Sequence, residues 1–216
     1  MNKTTKLFRI IMLAAICTVA AGTFSSCNED EDPYVYEPLT QQEKTAQISA
    51  MQGNYSGHVY YGLTNYTQMT DSLNIQWTIL AADSTLTISN FPMKVFGQYI
   101  TDADLKTALE NDSTHSLKAD LHLYRPYYTT GALDYTSFVV VPKTTSDYVV
   151  TLPLAFGEES HDVTFNFSGE YSSYYYSQGE FYQNRMWFYL ILRSISVDNG
   201  PARTANCILG FTGTKK

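Results

Sequence analysis

A two-residue hydrophobic period runs through most of the chain beyond Asn54. In the most regular stretch, Val163, Phe165 and Phe167 alternate with polar residues from Asp162 to Ser168. Successive side chains of a β-strand point to opposite faces, so this period predicts strands with one buried and one wet face. The 18 tyrosines strengthen the prediction, because Tyr favours pleated, half-buried surfaces.

The arrangement of these segments predicts an all-β fold. We expect about eight or nine strands separated by short turn segments, without the strand-helix-strand alternation of parallel sheets. An antiparallel meander barrel and a β-sandwich both fit this pattern. The barrel is the prediction, because closing a long meander removes its exposed edges, and the sandwich is the alternative.

Two helices are predicted within this β-rich domain. Thr40 and Glu43 form a capping box at the start of the first helix, and Gly53 can end it. Its few apolar residues favour packing on one end of the sheet. A second, inserted helix is predicted to begin at Thr101 and to end within residues 111–116.

The first 26 residues have the features of an export signal. Lys3, Lys6 and Arg9 precede the apolar run 10–21, which is too short to span a bilayer. The run leads to Phe-Ser-Ser-Cys at residues 24–27, which resembles a bacterial lipobox whose cysteine is lipidated. The resemblance implies a signal peptide at 1–26, a lipid on Cys27, an acidic, proline-containing tether at 27–39 and a single domain at 40–216.

Four acidic residues follow the cysteine directly, at positions 29–32. Like charges in such a run keep a tether solvated and extended. The run also resembles the surface-export signal of Bacteroidetes lipoproteins, which implies an outer-membrane protein facing the cell exterior. The whole pattern of lipobox, acidic tether, capped helix and Tyr-rich strands is similar to uncharacterised Bacteroidetes lipoproteins, catalogued as domains of unknown function.

The ends of the β-rich domain carry a second resemblance. Gly53-Asn54-Tyr55 opens the first strand after a short helix, and Gly210-Phe211-Thr212-Gly213 closes the last strand. This arrangement looks like that of the calycins, the lipocalin-like barrels. The resemblance implies a barrel with a helix at one end.

Charge and cysteine content limit the partners of the mature chain. Removal of the signal peptide would remove Lys3, Lys6 and Arg9 and no acidic residue. The mature chain would then have 11 basic and 21 acidic residues, which gives a net charge of −10. Such a chain is not expected to bind nucleic acid, nor to be attracted to an anionic lipid surface. Cys207 is then the one cysteine left without a lipid, and we expect it to be a small buried hydrophobe.

No catalytic or metal-binding motif is recognisable. The four histidines lie in no HExxH motif and at no zinc-ligand spacing. No serine lies in a GxSxG turn, and no glycine-rich loop is placed to hold phosphate. We therefore predict a protein that is not an enzyme and has no cofactor or metal; a hydrolase with an unrecognised site is the remaining enzymatic alternative.

Two aromatic clusters are the candidate binding residues. Tyr offers a flat apolar face and a hydroxyl, which suit both sugar rings and protein partners. We expect these residues to form a rim that binds a glycan or an apolar small molecule; a structural or protein-interaction role, and packing of the tyrosines on a long hairpin, are the alternatives. The predicted ligand-binding residues are Tyr171, Tyr174, Tyr175, Tyr176, Phe181, Tyr182, Tyr127 and Tyr128.

Overall fold

The computed structural model describes residues 37–64, 68–112, 115–126, 135–172 and 175–216. Cys27, the predicted signal peptide and most of the predicted tether lie outside these residues. The strands are β1 (Gly53–Thr64), β2 (Gln68–Leu80), β3 (Thr85–Ile88), β4 (Leu117–Tyr124), β5 (Thr136–Pro142), β6 (Val149–Phe156), β7 (Glu159–Ser168), β8 (Glu170–Ser172), β9 (Tyr175–Tyr176), β10 (Gln178–Tyr182), β11 (Arg185–Val197) and β12 (Arg203–Lys215).

The helices are α1 (Gln41–Met51), a 3-10 helix (Met93–Tyr99) and α2 (Ala103–Asn111). The predicted capping box is present at α1: the Glu43 amide donates to Thr40 Oγ1 at 3.2 Å, and the Thr40 amide donates to Glu43 Oε2 at 2.7 Å. The N-cap of α2 is Asp102 rather than Thr101, because Asp102 Oδ1 accepts the Leu105 amide at 3.1 Å. The 3-10 helix had no counterpart in the sequence prediction.

Eight of the strands close into an antiparallel barrel in the order β10-β5-β4-β3-β2-β1-β12-β11, with β11 returning to β10. The predicted all-β barrel is therefore confirmed, and the sandwich alternative is not the fold. β6 and β7 are two extra strands. The first residues of β11 pair with β10 within the barrel. Its later residues, from Ile191 to Val197, pair with β7, and β7 in turn pairs with β6.

The barrel interior is filled by large side chains. Tyr55 stacks on Trp77 with ring centroids 5.4 Å apart, and Phe188 stacks on Phe211 at 4.3 Å. An apolar pocket beside Phe91 and Phe165 has a volume of only about 10 Å³. Among the described residues, the interior is thus a packed core rather than a ligand cavity.

Helices cover both ends of this core. At the end where β1 begins, which we call the base, Ile48 and Met51 of α1 belong to the core. At the opposite end, which we call the top, the 3-10 helix inserts Met93, Val95 and Phe96. Entry into the barrel is therefore obstructed by packed side chains at the base and at the top.

β11 is buried on both faces along its apolar middle part. Leu190 and Leu192 point into the core, whereas Tyr189 and Ile191 form a second buried cluster with Ile208 on the outside. Met69 and Trp187 pack against this outer cluster, and β9 lies against β11. The described neighbours that cover this face are strands. No helix within the described ranges combines the length and apolar character needed to cross a membrane.

Candidate binding surface on the outside of the barrel

The structure describes five of the eight aromatic residues predicted to form one rim, and it places two of them, Phe181 and Tyr182, on opposite faces of β10. Tyr127, Tyr128 and Tyr174 lie outside the described residues. Tyr171 and Tyr175 belong to β8 and β9, and Tyr176 is half-buried in β9. Tyr182 is 45% exposed at the base, where its hydroxyl accepts from Gln183 Nε2 at 2.7 Å.

Phe181 is a correction to the predicted rim, because it lies in the barrel core. Its side chain is 8% exposed and packs edge-on against Tyr55, with ring centroids 6.4 Å apart. Strand alternation explains this position: Gly179 and Phe181 point inward, and Gln178, Glu180 and Tyr182 point outward. Phe181 therefore contributes to stability and is not on the outer surface.

The outward residues of seven strands line up in one row across the barrel wall. Each is the direct cross-strand partner of the next, so the row is continuous through antiparallel pairing. We call it the outer row. Its members, from β4 to β2, are Tyr124, Ser137, Glu180, Trp187, Thr212, His58 and Asn74.

Glu180 carries the carboxyl group of the outer row, and this group is partly desolvated. Burial raises its pKa above the ordinary value, and a hydrogen bond donated by the Trp187 side chain acts in the opposite direction. The pKa of Tyr135 is also raised, first by burial and then by the charge of Glu180. Beside Glu180, Ser137 is 1% exposed and its Oγ has no hydrogen-bond partner in the described part of the chain.

The raised pKa of Glu180 predicts a pH-dependent stability. The native state binds more protons than the unfolded state between the ordinary Glu pKa and the higher folded value, so stability falls as pH rises through that window. Glu180→Gln mimics the protonated group. We expect it to raise the free energy of unfolding above this window and to change it least below, measured by urea unfolding between about pH 4 and pH 8.

The matched control for this measurement is Glu158→Gln, which makes the same change on an exposed turn. The prediction would be contradicted if the free energies of unfolding of Glu180→Gln and the wild type differed by the same amount at every pH. If the stability of Glu158→Gln relative to the wild type also increases with pH in this way, the effect is caused by the change in overall charge and not by the burial of Glu180.

The outer row ends in an open polar trough of about 820 Å³ on the outer face of β1 and β2. Within the trough, Thr78 Oγ1 donates to Asn54 Oδ1 at 2.8 Å, and Lys216 Nζ donates to Gln76 Oε1 at 3.3 Å. Amide and hydroxyl groups predominate, and Lys216 is the one charged side chain among the lining residues. The outward-facing side chains of the trough are Asn54, Ser56, His58, Asn74, Gln76, Thr78, Ser89, Asn90 and Lys216.

Aromatic rings lie next to this trough. His58 and Tyr60 point outward from β1 with ring centroids 6.0 Å apart. Trp187 is half-buried and is linked to His58 through Thr212 in the outer row. The surface therefore combines aromatic faces with neutral hydrogen-bonding groups, and this combination can recognise a polyhydroxylated ligand.

The sequence prediction did not include the trough residues among the binding candidates. A signal was present, since Ser72, Asn74, Gln76 and Thr78 occupy the polar face of a strand whose other face is apolar. That pattern also describes any solvated strand face. The sequence does not show that β1, β2, β11 and β12 pair in the register that places Asn74 next to His58 and in one row with Trp187.

The described residues contain no group of three or more His, Cys, Asp or Glu side chains that could hold a metal ion. His161 Nδ1 lies 2.7 Å from Asp198 Oδ2, and this contact raises the pKa of the histidine. Cys207 is buried, and burial raises its thiol pKa to about 12. Cys207 is therefore a core residue in the thiol form at neutral pH.

Comparison with known proteins gives one family. No curated protein matches the chain. A family model described as Domain of unknown function (DUF4840) matches residues 50–197, which extend from the end of α1 to the end of β11. The chain therefore belongs to the DUF4840 family.

Proposed function

We propose that this chain is a surface-anchored, non-enzymatic lipoprotein that binds a glycan on the outer face of its barrel. The observation that carries the proposal is the open trough of about 820 Å³ lined by amide and hydroxyl side chains beside aromatic rings. The packed core supports an external site, because the described interior offers no comparable volume.

The chemistry of the trough favours a glycan over an apolar small molecule. Asn74, Gln76 and Asn54 present amide groups that both donate and accept hydrogen bonds, as sugar hydroxyls require. An apolar ligand would desolvate these amides without replacing their hydrogen bonds to water, which is unfavourable. The polar lining therefore supports the glycan part of the sequence-based hypothesis.

The outer row supplies further groups to such a ligand. Trp187 offers a partly exposed indole face for a sugar ring. Next to it, the Glu180 carboxyl can accept a hydrogen bond from a sugar hydroxyl. A glycan extending along the row would contact the trough, then Trp187 and then Glu180.

The anchoring part of the proposal comes from the sequence. The lipobox-like residues 24–27 follow a complete export signal, and Cys27 is the proposed lipid attachment site. A lipid with two or more acyl chains holds a protein stably on a membrane without a spanning helix. The acidic run 29–32 supports display on the outside of a Bacteroidetes cell.

A glycan-binding screen tests this proposal on the soluble chain beginning at Asn28. The double variant Asn74→Ala, Gln76→Ala is expected to weaken binding at least about tenfold, since it removes two or more hydrogen bonds of about 1 kcal/mol each. Trp187→Ala is expected to weaken binding by a similar factor, because it removes the aromatic face on which a sugar ring would pack. Affinity is measured by isothermal titration calorimetry on the best glycan from the screen.

The control for the double variant is Gln42→Ala with Asn111→Ala, which truncates two exposed amides on α1 and α2. Equal affinity of the trough and control variants would contradict the proposed site. If no glycan binds the wild-type chain, the proposal fails, and a structural or protein-interaction role in the cell envelope becomes the better hypothesis.

A further inference from the structure

The Trp187 side chain, which supplies the aromatic face of the proposed glycan site, is held from two sides. On one side its ring meets the Tyr189 ring edge-on, with ring centroids 5.6 Å apart. Tyr189 is 6% exposed and belongs to the outer cluster with Ile191 and Ile208, against which Trp187 packs. On the other side lies Glu180, the direct cross-strand partner of Trp187. The orientation of the indole therefore depends on a packed aromatic ring and on a carboxyl group.

The contact between Trp187 and Glu180 is a hydrogen bond between β11 and β10. The Trp187 side chain donates to the Glu180 carboxyl group. A tryptophan side chain has one donor, its Nε1–H, so this bond fixes the edge of the indole that faces β10. A carboxylate accepts at two oxygens, so Glu180 can hold the indole with one oxygen and still accept from a sugar hydroxyl with the other.

Glu180 forms this contact without a cationic partner in the described part of the chain. The ion pairs of the described residues do not include it. The side chain is half-buried, and burial raises the pKa of its carboxyl group. Asp102, in contrast, has a pKa that is lowered by its hydrogen bond to Arg203. A half-buried carboxyl group without a counter-charge lowers stability, and a role at the glycan site accounts for its presence on this strand.

The neighbours of Glu180 keep their charge in the pH range in which this carboxyl group titrates. β5 and β11 pair with β10 on its two sides. Among the described residues, the outward-facing titratable side chains beside Glu180 are Tyr135, just before β5, Arg185 and Tyr189 of β11, and Tyr182 of β10 itself. Arginine stays protonated and tyrosine ordinarily titrates near pH 10. Below about pH 8, a change of charge at this point of the outer row is therefore that of Glu180.

We propose that Glu180 is a positioning residue whose carboxylate holds the Trp187 indole in the orientation on which a sugar ring packs. This inference rests on the proposed function, since it describes how the aromatic contact of that site is arranged. An indole that is fixed before the ligand arrives loses less conformational entropy on binding. A hydrogen bond to an ionised acceptor is stronger than one to a neutral acceptor, so protonation of Glu180 loosens the indole. Glycan binding then weakens as the pH falls through the pKa of Glu180.

The indole NMR signals test this contact without a glycan. The chain has two tryptophans, and Trp77 Nε1 is buried without a hydrogen-bond partner in the described part of the chain, so Trp77 gives a reference signal. Proton–nitrogen spectra are recorded on the soluble chain beginning at Asn28, and Trp187→Phe identifies the Trp187 signal. We expect that signal to move between about pH 4 and pH 8, with a midpoint above the ordinary Glu pKa, while the Trp77 signal stays in place.

Glu180→Gln should abolish this titration of the Trp187 signal, and Glu158→Gln, which makes the same change on an exposed turn, should preserve it. A Trp187 signal that does not move with pH would overturn the proposal. The same conclusion would follow if the signal titrated equally in the wild type and in Glu180→Gln, because another group would then control the indole.

A double-mutant cycle on glycan affinity tests whether Glu180 acts through the indole. Trp187→Phe keeps an aromatic ring and removes the N–H donor. We expect Glu180→Ala to weaken binding of the best glycan at least about tenfold in the wild-type background, and by a factor at least about threefold smaller in the Trp187→Phe background. Glu180→Gln retains an acceptor for the indole N–H, so its affinity should stay within about threefold of the wild type at pH 8.

Equal losses of affinity in the two backgrounds would mean that Glu180 contacts the sugar directly, and this result would overturn the proposal. His58 is also in the outer row, and histidine side chains as a class change charge in this pH range. A pH dependence of affinity that persists unchanged in Glu180→Gln, which keeps His58, would overturn the role of Glu180 ionisation. Absence of glycan binding by the wild type would overturn the proposed function as well, whereas an indole signal independent of Glu180 in a chain that binds glycan would overturn this inference alone.

Discussion

Replacing Trp77 by alanine is expected to lower the free energy of unfolding by about 3–5 kcal/mol, the usual cost of truncating a buried Trp. Its side chain is 2% exposed, stacks on Tyr55 and meets Phe188 edge-on with ring centroids 5.5 Å apart. The indole also packs on Gly213, where a Cβ would overlap it. Its loss leaves a cavity between β1, β2 and β11 that the rigid sheet cannot close.

The other tryptophan of the chain provides a matched control. Trp187 points outward and is half-buried, so Trp187→Ala is expected to cost only about 1 kcal/mol of stability while it weakens glycan binding. Each variant keeps one tryptophan, whose fluorescence reports urea unfolding. Equal losses of stability would contradict the assignment of Trp77 to the core and Trp187 to the surface.

A methyl group at Gly57 is expected to destabilise the closed barrel by about 3 kcal/mol, because backbone rather than a side chain must move. A Cβ at this position would overlap the Thr212 carbonyl oxygen and lie 2.5 Å from the Gly213 Cα. Gly57 and Gly213 are direct partners in the β1–β12 pairing. The substitution therefore pushes apart two strands on which barrel closure depends.

Ser56→Ala is the control, because Ser56 is exposed on the same strand. We expect this substitution to change the free energy of unfolding by no more than about 0.5 kcal/mol. Urea unfolding measures both variants, and amide hydrogen exchange shows where protection is lost. Gly57→Ala should increase exchange first in β1 and β12. An unchanged stability, or loss of protection confined to strands distant from β12, would contradict the proposed close approach.

Much of the fold was predictable because its signals are local. Val163, Phe165 and Phe167 alternate with polar residues, and they point into the core as predicted. Thr40 and Glu43 form the expected capping box within one helical turn. Each of these features depends on residues a few positions apart, so the local sequence was sufficient.

The Tyr-rich stretch shows where local patterns were insufficient. Phe181 and Tyr182 are adjacent and were assigned to one rim, but they lie on opposite faces of β10. The 3-10 helix was not predicted because its Met93, Val95 and Phe96 are helical only where they fill the top of the barrel. Their conformation depends on contacts with distant residues, such as those of Phe96 with Phe165 and Phe167.

Alternation along the chain was enough to specify which side of each strand is dry, because side-chain direction in a strand repeats every two residues. Tertiary pairing alone specified that the sheet closes through β10 and β11, and that Glu180, Trp187, His58 and Asn74 share one row. The physical reason is that register between strands distant in sequence depends on how both faces pack, and alternation within one strand carries no information about its partner.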